Sequence, residues 1–143
     1  MEWMIMPLRR YADFSGRSRR MEFWMFRLFF YLVLVFFGLV MLAGIPWAEL
    51  DRANRTAPPD MGTLFWTGVA GLGLWYLGCI VPSIAVCVRR FHDQDKSGWM
   101  WLLYFIPYIG WIIIVVFMCL EGTRGDNQFG PDPMDPDRSE VFS

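Results

Sequence analysis

The chain has 143 residues, of which 55% are hydrophobic and 18% aromatic, with a formal net charge of −1. That length excludes a second globular core, and so apolar a composition exceeds the 45–50% of ordinary soluble domains. The near-zero net charge says little by itself, because the charge is unevenly distributed. Six arginines face three acids before Leu28, whereas two arginines face six acids from Glu121 onward.

Residues 1–27 read as a basic cytoplasmic or interfacial arm. Ser18 is placed to cap a helix starting at Arg19, because a serine hydroxyl can accept one of the amide hydrogens orphaned at a helix start. Phe23, Trp24 and Phe26 then fall at headgroup depth, where aromatic rings partition favourably, and Arg27 can snorkel to the phosphates.

Residues 28–120 form the expected transmembrane domain, with three uncharged runs: Leu28 to Ala48, Met61 to Val88, and Ser97 to Leu120. Each reaches the roughly 20 residues that an α-helix needs to cross a ~30 Å hydrocarbon core. The first run is too long for a signal-peptide core and is read as a retained span. The expected fold is all-α: a small polytopic bundle of three transmembrane helices, at about 28–48, 64–88 and 98–120, with an interfacial N-terminal segment. The connection from Glu49 to Asp60 reads as a polar loop.

In the second span Gly71, Gly78 and Ala85 recur every seven residues, with Pro82 on the same stripe. Small residues on one face let another backbone approach closely, so these four are the candidate helix-packing positions. Pro82 lacks an amide hydrogen and should kink the helix near Gly78. The third run is interrupted by Ile-Pro-Tyr-Ile-Gly at 106–110. A single kinked span is the expectation; a re-entrant hairpin, returning the C-terminus to the starting side, is the alternative. Non-helical backbone at that depth needs protein or water around it. Residues 121–143, rich in glycine, proline and acids, read as a turn-rich segment and a mostly disordered tail.

Lysine and arginine counts orient the chain. The arm and the Arg89–Ser97 turn are basic and therefore cytoplasmic, and three spans would carry the tail to the periplasm. Cys79, Cys87 and Cys119 lie in apolar runs without metal-binding or disulfide spacing, and read as buried free thiols.

Enzyme signatures are missing from the sequence. It has no phosphate-binding glycine loop, no nucleophile elbow and no paired zinc histidines, so no catalytic residue, metal site or cofactor is expected. The lone histidine, His92, adjoins Asp93, which makes them the only candidate acid–base pair. Three polar patterns flank the runs: Phe14-Ser15-Gly16-Arg17-Ser18-Arg19-Arg20-Met21-Glu22-Phe23-Trp24; Arg89-Arg90-Phe91-His92-Asp93 with Ser97-Gly98-Trp99; and Gly122-Thr123 with Gly125, Asn127 and Phe129-Gly130-Pro131-Asp132-Pro133.

In this order the patterns resemble those of the bacterial inner-membrane family catalogued as domain of unknown function 805, the YhaH-like proteins. The likeness runs from about Tyr11 to Pro133. It implies a helical inner-membrane protein and supplies no activity or catalytic residue.

The reading that follows is a non-enzymatic inner-membrane protein whose cytoplasmic, arginine-rich rim binds anionic phospholipid headgroups or a protein partner. Arg17, Arg19, Arg20, Arg89 and Arg90 would supply the charge there, with Glu22, His92 and Asp93 beside them. Nucleic acid is not an expected partner; a homo-oligomer is possible. The competing classes are an oligomeric component for small-solute or ion transport, and a membrane-surface enzyme acting on lipid-linked substrates.

Overall fold

The computed structural model describes residues 2–50 and 60–134. It is all-helical: α1 (Glu2–Arg9), α2 (Arg20–Ala43), the single turn α3 (Trp47–Leu50), α4 (Thr63–Asp93), a 3-10 helix (Gly98–Phe105) and α5 (Ile109–Cys119). Most of the expected 49–60 loop, and the tail beyond Met134, lie outside the described residues.

Among the described residues two helices are long and apolar enough to cross a membrane, α2 with 24 residues and α4 with 31. At 1.5 Å per residue they measure about 36 and 46 Å, both beyond the ~30 Å hydrocarbon thickness. Along α2, Tyr31, Leu32, Val35, Phe36 and Leu39 are all exposed, the surface that lipid rather than water would solvate.

The expectation of a third spanning helix is corrected. The run from Ser97 to Leu120 splits into an eight-residue 3-10 helix and an eleven-residue α-helix. At about 16 Å, α5 covers half the hydrocarbon core. The break falls at Pro107 and Tyr108, with Tyr108 in a left-handed conformation at φ 62°. Gly110 is required for the reversal, since a methyl group there would overlap the carbonyl of Leu103.

The chain divides into two compact units, one built from the chain up to Leu28 and from Ile80 onward, the other from Phe29–Cys79. In the second unit, α2 and α4 run antiparallel with small residues at the seam. A methyl at Gly71 would overlap the Phe37 ring, one at Gly68 the Met41 backbone, and one at Gly44 the Phe65 backbone. Trp75 adds an indole N–H donated to the Phe30 carbonyl at 3.2 Å and an edge-on contact with Phe29.

The packing positions read from the sequence therefore need revision. Gly71 is at the seam, but a methyl at Gly78 would meet nothing within 4 Å. Close approach within the chain continues instead through Gly68 to Gly44, away from Gly78. Ala85 and Pro82, which belong to the first unit, are fully buried there. Pro82 sits inside a continuous α4. Cys79 and Cys87 are buried free thiols, whereas Cys119 is exposed.

The first unit holds a core of Phe23, Phe26, Val86, Phe91, Ile114 and Met118. Beneath that apolar layer lies a group of buried charges, described next.

Candidate functional site

Arg17, Glu22, Arg89, Arg90 and Asp93 are all buried, Arg89 and Arg90 with 0% exposure. The spacing of the sequence explains their meeting. Glu22 lies in the first turn of α2, Arg89, Arg90 and Asp93 in the last turns of α4, and Arg17 in the irregular segment leading into α2. Ser18 ties the two helix ends together, its amide donating to the Arg89 carbonyl at 3.2 Å. Its hydroxyl does not cap the helix as expected but donates to Glu22 Oε2 at 2.7 Å, and α2 begins at Arg20.

Glu22 Oε1 accepts from Arg89 Nη2 at 3.0 Å. Asp93 takes two guanidinium groups, Arg17 Nε on Oδ1 at 2.9 Å and Arg90 Nη1 on Oδ2. Three cations thus share two carboxylates out of reach of water. Burying an isolated ion costs several kcal/mol, so an arrangement of this kind depends on complete pairing. Carbonyl oxygens supply much of the remainder. Arg17 donates to Gly125 O at 2.6 Å and also to Thr123 O, while Arg90 donates to Leu120 O.

Those carbonyls belong to the segment that the three-span reading put on the opposite side. Thr123 donates its amide to the Asp93 carbonyl at 2.8 Å, Asn127 Nδ2 donates to the His92 carbonyl at 2.8 Å, and Gln94 donates to Phe117 O. Gly122 packs so closely on Asp93 that a methyl group there would overlap its carboxylate. The run from Ser97 to Leu120 leaves the cluster and returns to it. A periplasmic tail opposite a cytoplasmic arm is therefore ruled out for Glu121–Met134: it lies at the same end as the arm.

From Leu120 to Met134 the chain makes turns. Asn127 and Gly130 exchange backbone hydrogen bonds at 3.1 Å, and Asn127 Oδ1 accepts from the Phe129 amide at 2.9 Å. Asp132 accepts from the Gly125 and Met134 amides at 3.0 and 2.9 Å and lies 4.0 Å from Arg17. The Met134 and Gly125 hydrogen bonds, helped by Arg17 and Arg19, hold its carboxyl below the usual value. On the arm, Ser15 and Arg10 hold the Asp13 carboxyl far below its usual range.

A cavity of about 520 Å³ opens beside the cluster, lined by Arg17, Arg19, Arg20, Arg124, Asp132 and Met134 among others. Arg17 is held by the contacts above. Arg20 is half-exposed and pairs with the still more exposed Glu121 at 3.1 Å, a link of small worth in water. Arg19 donates to Pro133 O and lies over the Trp3 ring at 5.4 Å. Arg124 is exposed on the rim. A second cavity of about 420 Å³ adjoins the first through Arg19, Arg20 and Met134, and its other walls are Met21, Trp24 and Met25.

The structure therefore brings together seven of the eight rim residues named from the sequence and separates them by role. Arg89, Arg90, Glu22 and Asp93 form a buried ionic support rather than an exposed rim, because each guanidinium faces a carboxylate inside the unit. Arg19 and Arg20 face the cavities, with Arg17 between support and surface. His92 points elsewhere: its Nδ1 lies 3.3 Å from the Gly16 carbonyl and its ring stacks on Phe129 at 3.9 Å. With Asp93 engaged by Arg17 and Arg90, the two do not form an acid–base pair. Sequence reading missed Arg124, Thr123, Gly125 and Asp132, although the Gly-Thr-x-Gly-x-Asn pattern marked that segment.

Two helices of spanning length, together with a buried arginine–carboxylate cluster closed by a returning C-terminal segment, define a small polytopic membrane protein. The chain belongs to the family described as proteins of unknown function, DUF805, whose family model matches residues 11–131. It is 39% identical to the inner membrane protein YhaH of Escherichia coli K12 over 137 residues, covering 93% of this chain and 97% of that protein. Similarity to the inner membrane protein YhaI of the same strain is 37% over 133 residues, covering 93% and 96%. A more distant relative, the uncharacterized protein YiiR, is 25% identical over 152 residues, covering 86% and 87%. No solved structure matches the chain. With two helices of spanning length, it is a multi-pass bacterial inner-membrane protein.

Proposed function

We propose that this protein is a non-enzymatic anionic-phospholipid binder, whose site is the arginine-lined cavity at the start of α2. The observation that carries the reading is the pair of adjoining cavities sharing Arg19, Arg20 and Met134. One offers guanidinium groups, the other the apolar side chains of Met21, Trp24 and Met25. A phospholipid has the same two-part chemistry: a phosphate that guanidinium forks grip bidentately, and an acyl chain that leaves water for an apolar groove. Met21 and Trp24 are 59% and 41% exposed, so the groove is open to a chain arriving from the bilayer.

The positive-residue asymmetry of the sequence puts this end of the molecule at the cytoplasmic leaflet, where each basic residue near an anionic surface contributes about 1 kcal/mol. A non-catalytic role is supported by the fate of the buried carboxylates. Glu22 and Asp93 are both buried against guanidinium partners, an environment that holds them in place as counter-charges. Arg89 and Arg90 act in this reading as the support that holds Arg17 and the returning segment, not as headgroup ligands.

The test is native mass spectrometry of the protein released from nanodiscs of mixed phosphatidylglycerol and phosphatidylcholine. Retention of phosphatidylglycerol should fall about tenfold in the triple variant Arg19→Gln, Arg20→Gln, Arg124→Gln, with thermal stability little changed, as expected for exposed charges. Unchanged retention would sink the proposal.

A further inference from the structure

Away from the arginine cavity the first unit carries a second recess, of about 500 Å³, whose walls include the rings of Phe14, His92, Trp99, Trp101 and Phe129. Four of these rings are Phe or Trp, whose π systems attract a cation placed over them. Ring orientation is fixed on one side, where His92 and Phe129 stack within 4° of parallel. The same histidine supplies a polar handle. Its Nδ1 partner is the Gly16 carbonyl, which can only accept, so the ring proton sits on Nδ1 and the neutral ring presents Nε2 as a free acceptor. Nε2 lies beside Gly98: a methyl group built there would lie 3.0 Å from it and 2.7 Å from Val88 Cγ1. Gly98 and Ser97 also line the recess, so the absence of a side chain at 98 leaves the acceptor open to it.

A wall of rings alone would suit a quaternary ammonium at least as well as any other cation, since such a group offers no N–H to satisfy. An unpaired acceptor within the wall changes the preference. It rewards a cation that brings a hydrogen to donate, and leaves the acceptor dry and unsatisfied when a trimethylammonium fills the space. Trp99, 74% exposed, stands at the mouth, in the manner of the amphipathic rings that settle at the headgroup layer. We propose that this recess is a binding site for a primary ammonium group, that of a phosphatidylethanolamine headgroup, which donates a hydrogen bond to His92 Nε2 and is enclosed by the side chains of Trp99, Trp101 and Phe14. It shares no lining residue with the arginine cavity. The inference stands whether or not the arginine cavity binds phosphate.

The full chain is placed in nanodiscs of equal phosphatidylethanolamine and phosphatidylcholine, and the lipid it retains is read by native mass spectrometry. Phosphatidylethanolamine should exceed phosphatidylcholine about fivefold, a modest gain for one charge-assisted hydrogen bond inside an aromatic wall. His92→Phe keeps the stack on Phe129 and removes the acceptor, so the ratio should fall to about one. That variant also loses the Gly16 contact, so Gly98→Ala is the second: its methyl pushes the end of the Val88 side chain aside and covers Nε2 while leaving Nδ1 bonded, and should lower the ratio likewise. The Arg19, Arg20, Arg124 triple variant should keep the fivefold preference. Free ethanolamine, titrated against the Trp99 and Trp101 indole N–H resonances, separates the sources. Saturation by the soluble amine, with no lipid preference, would overturn the lipid assignment. Equal retention of the two lipids with no response to ethanolamine, or a preference surviving both His92→Phe and Gly98→Ala, would overturn the site itself.

Discussion

Asp93→Asn is the substitution that should damage this fold most for the fewest atoms changed. The carboxylate pairs with Arg90 and lies nearer to Arg17 than Asp132 does, with side chains 7%, 0% and 1% exposed for Asp93, Arg90 and Arg17. The amide is the same size, so no cavity forms. It loses the charge, however, and offers one acceptor oxygen where two guanidinium groups each used one. Two buried cations then share a neutral partner, where Arg89 Nε, Arg89 Nη1 and Arg90 Nε already have no hydrogen-bond partner among the described residues. Removing one partner from a buried pair costs about 3–5 kcal/mol, mostly as the desolvation of the charge left behind. Against a total stability of about 5–15 kcal/mol, that is enough to unfold a substantial fraction of a small domain. The internal comparison is Asp13→Asn, which breaks the half-exposed Arg10–Asp13 pair and should cost roughly 1 kcal/mol or less. Thermal or denaturant unfolding of the two variants in one mild detergent measures the contrast. Equal stability would refute the view that buried pairing organises the first unit.

Two further outcomes follow from the geometry. Gly71→Leu should destabilise by about 1–3 kcal/mol, because the side chain must displace Phe37 at the seam; Gly78→Leu and Gly73→Leu open onto free space and should leave the detergent-solubilised melting temperature nearly unchanged. Asp132 has a folded-state carboxyl below its ordinary value of 3.8, so its contribution is present above that pH and lost as pH falls through the depressed value. The amide resonances of Gly125 and Met134, its two donors, should titrate with a midpoint below 3.8; a midpoint above it would show that these contacts do not favour the charged form.

The two long helices were legible because hydropathy and length report on solvent directly, and α2 and α4 bury little of their apolar surface in protein. The meeting of Glu22 and Asp93 with Arg17, Arg89 and Arg90 was also legible, since like charges at neighbouring helix ends require counter-charges. Their direction was not. Charge next to an apolar run reads as a rim, and nothing local says that a guanidinium turns inward to a carboxylate 67 or 76 residues away. The third run failed for a related reason. Hydropathy counts residues but not their path, and Pro107 and Gly110 are compatible with both a kink and a reversal. What decides between them is the left-handed Tyr108 and the later closure of Thr123, Gly125 and Asn127 on α4. That closure is a long-range event, and it brought a segment expected on the far side into the site.

The cluster exists only if both ends of the 97–120 run lie on one side of the membrane, and labelling reads this directly. Single cysteines at Ser15, Asp60 and Asp126, in a background lacking Cys79, Cys87 and Cys119, are challenged with a membrane-impermeant maleimide on intact cells. Asp60 lies just before α4, whose length separates it from Asp93 by a membrane's thickness. The predicted result is labelling at Asp60 with protection at both Ser15 and Asp126. Labelling at Asp126 with protection at Ser15 would contradict the account, because Arg17 and the Thr123–Gly125 carbonyls could not then share a site.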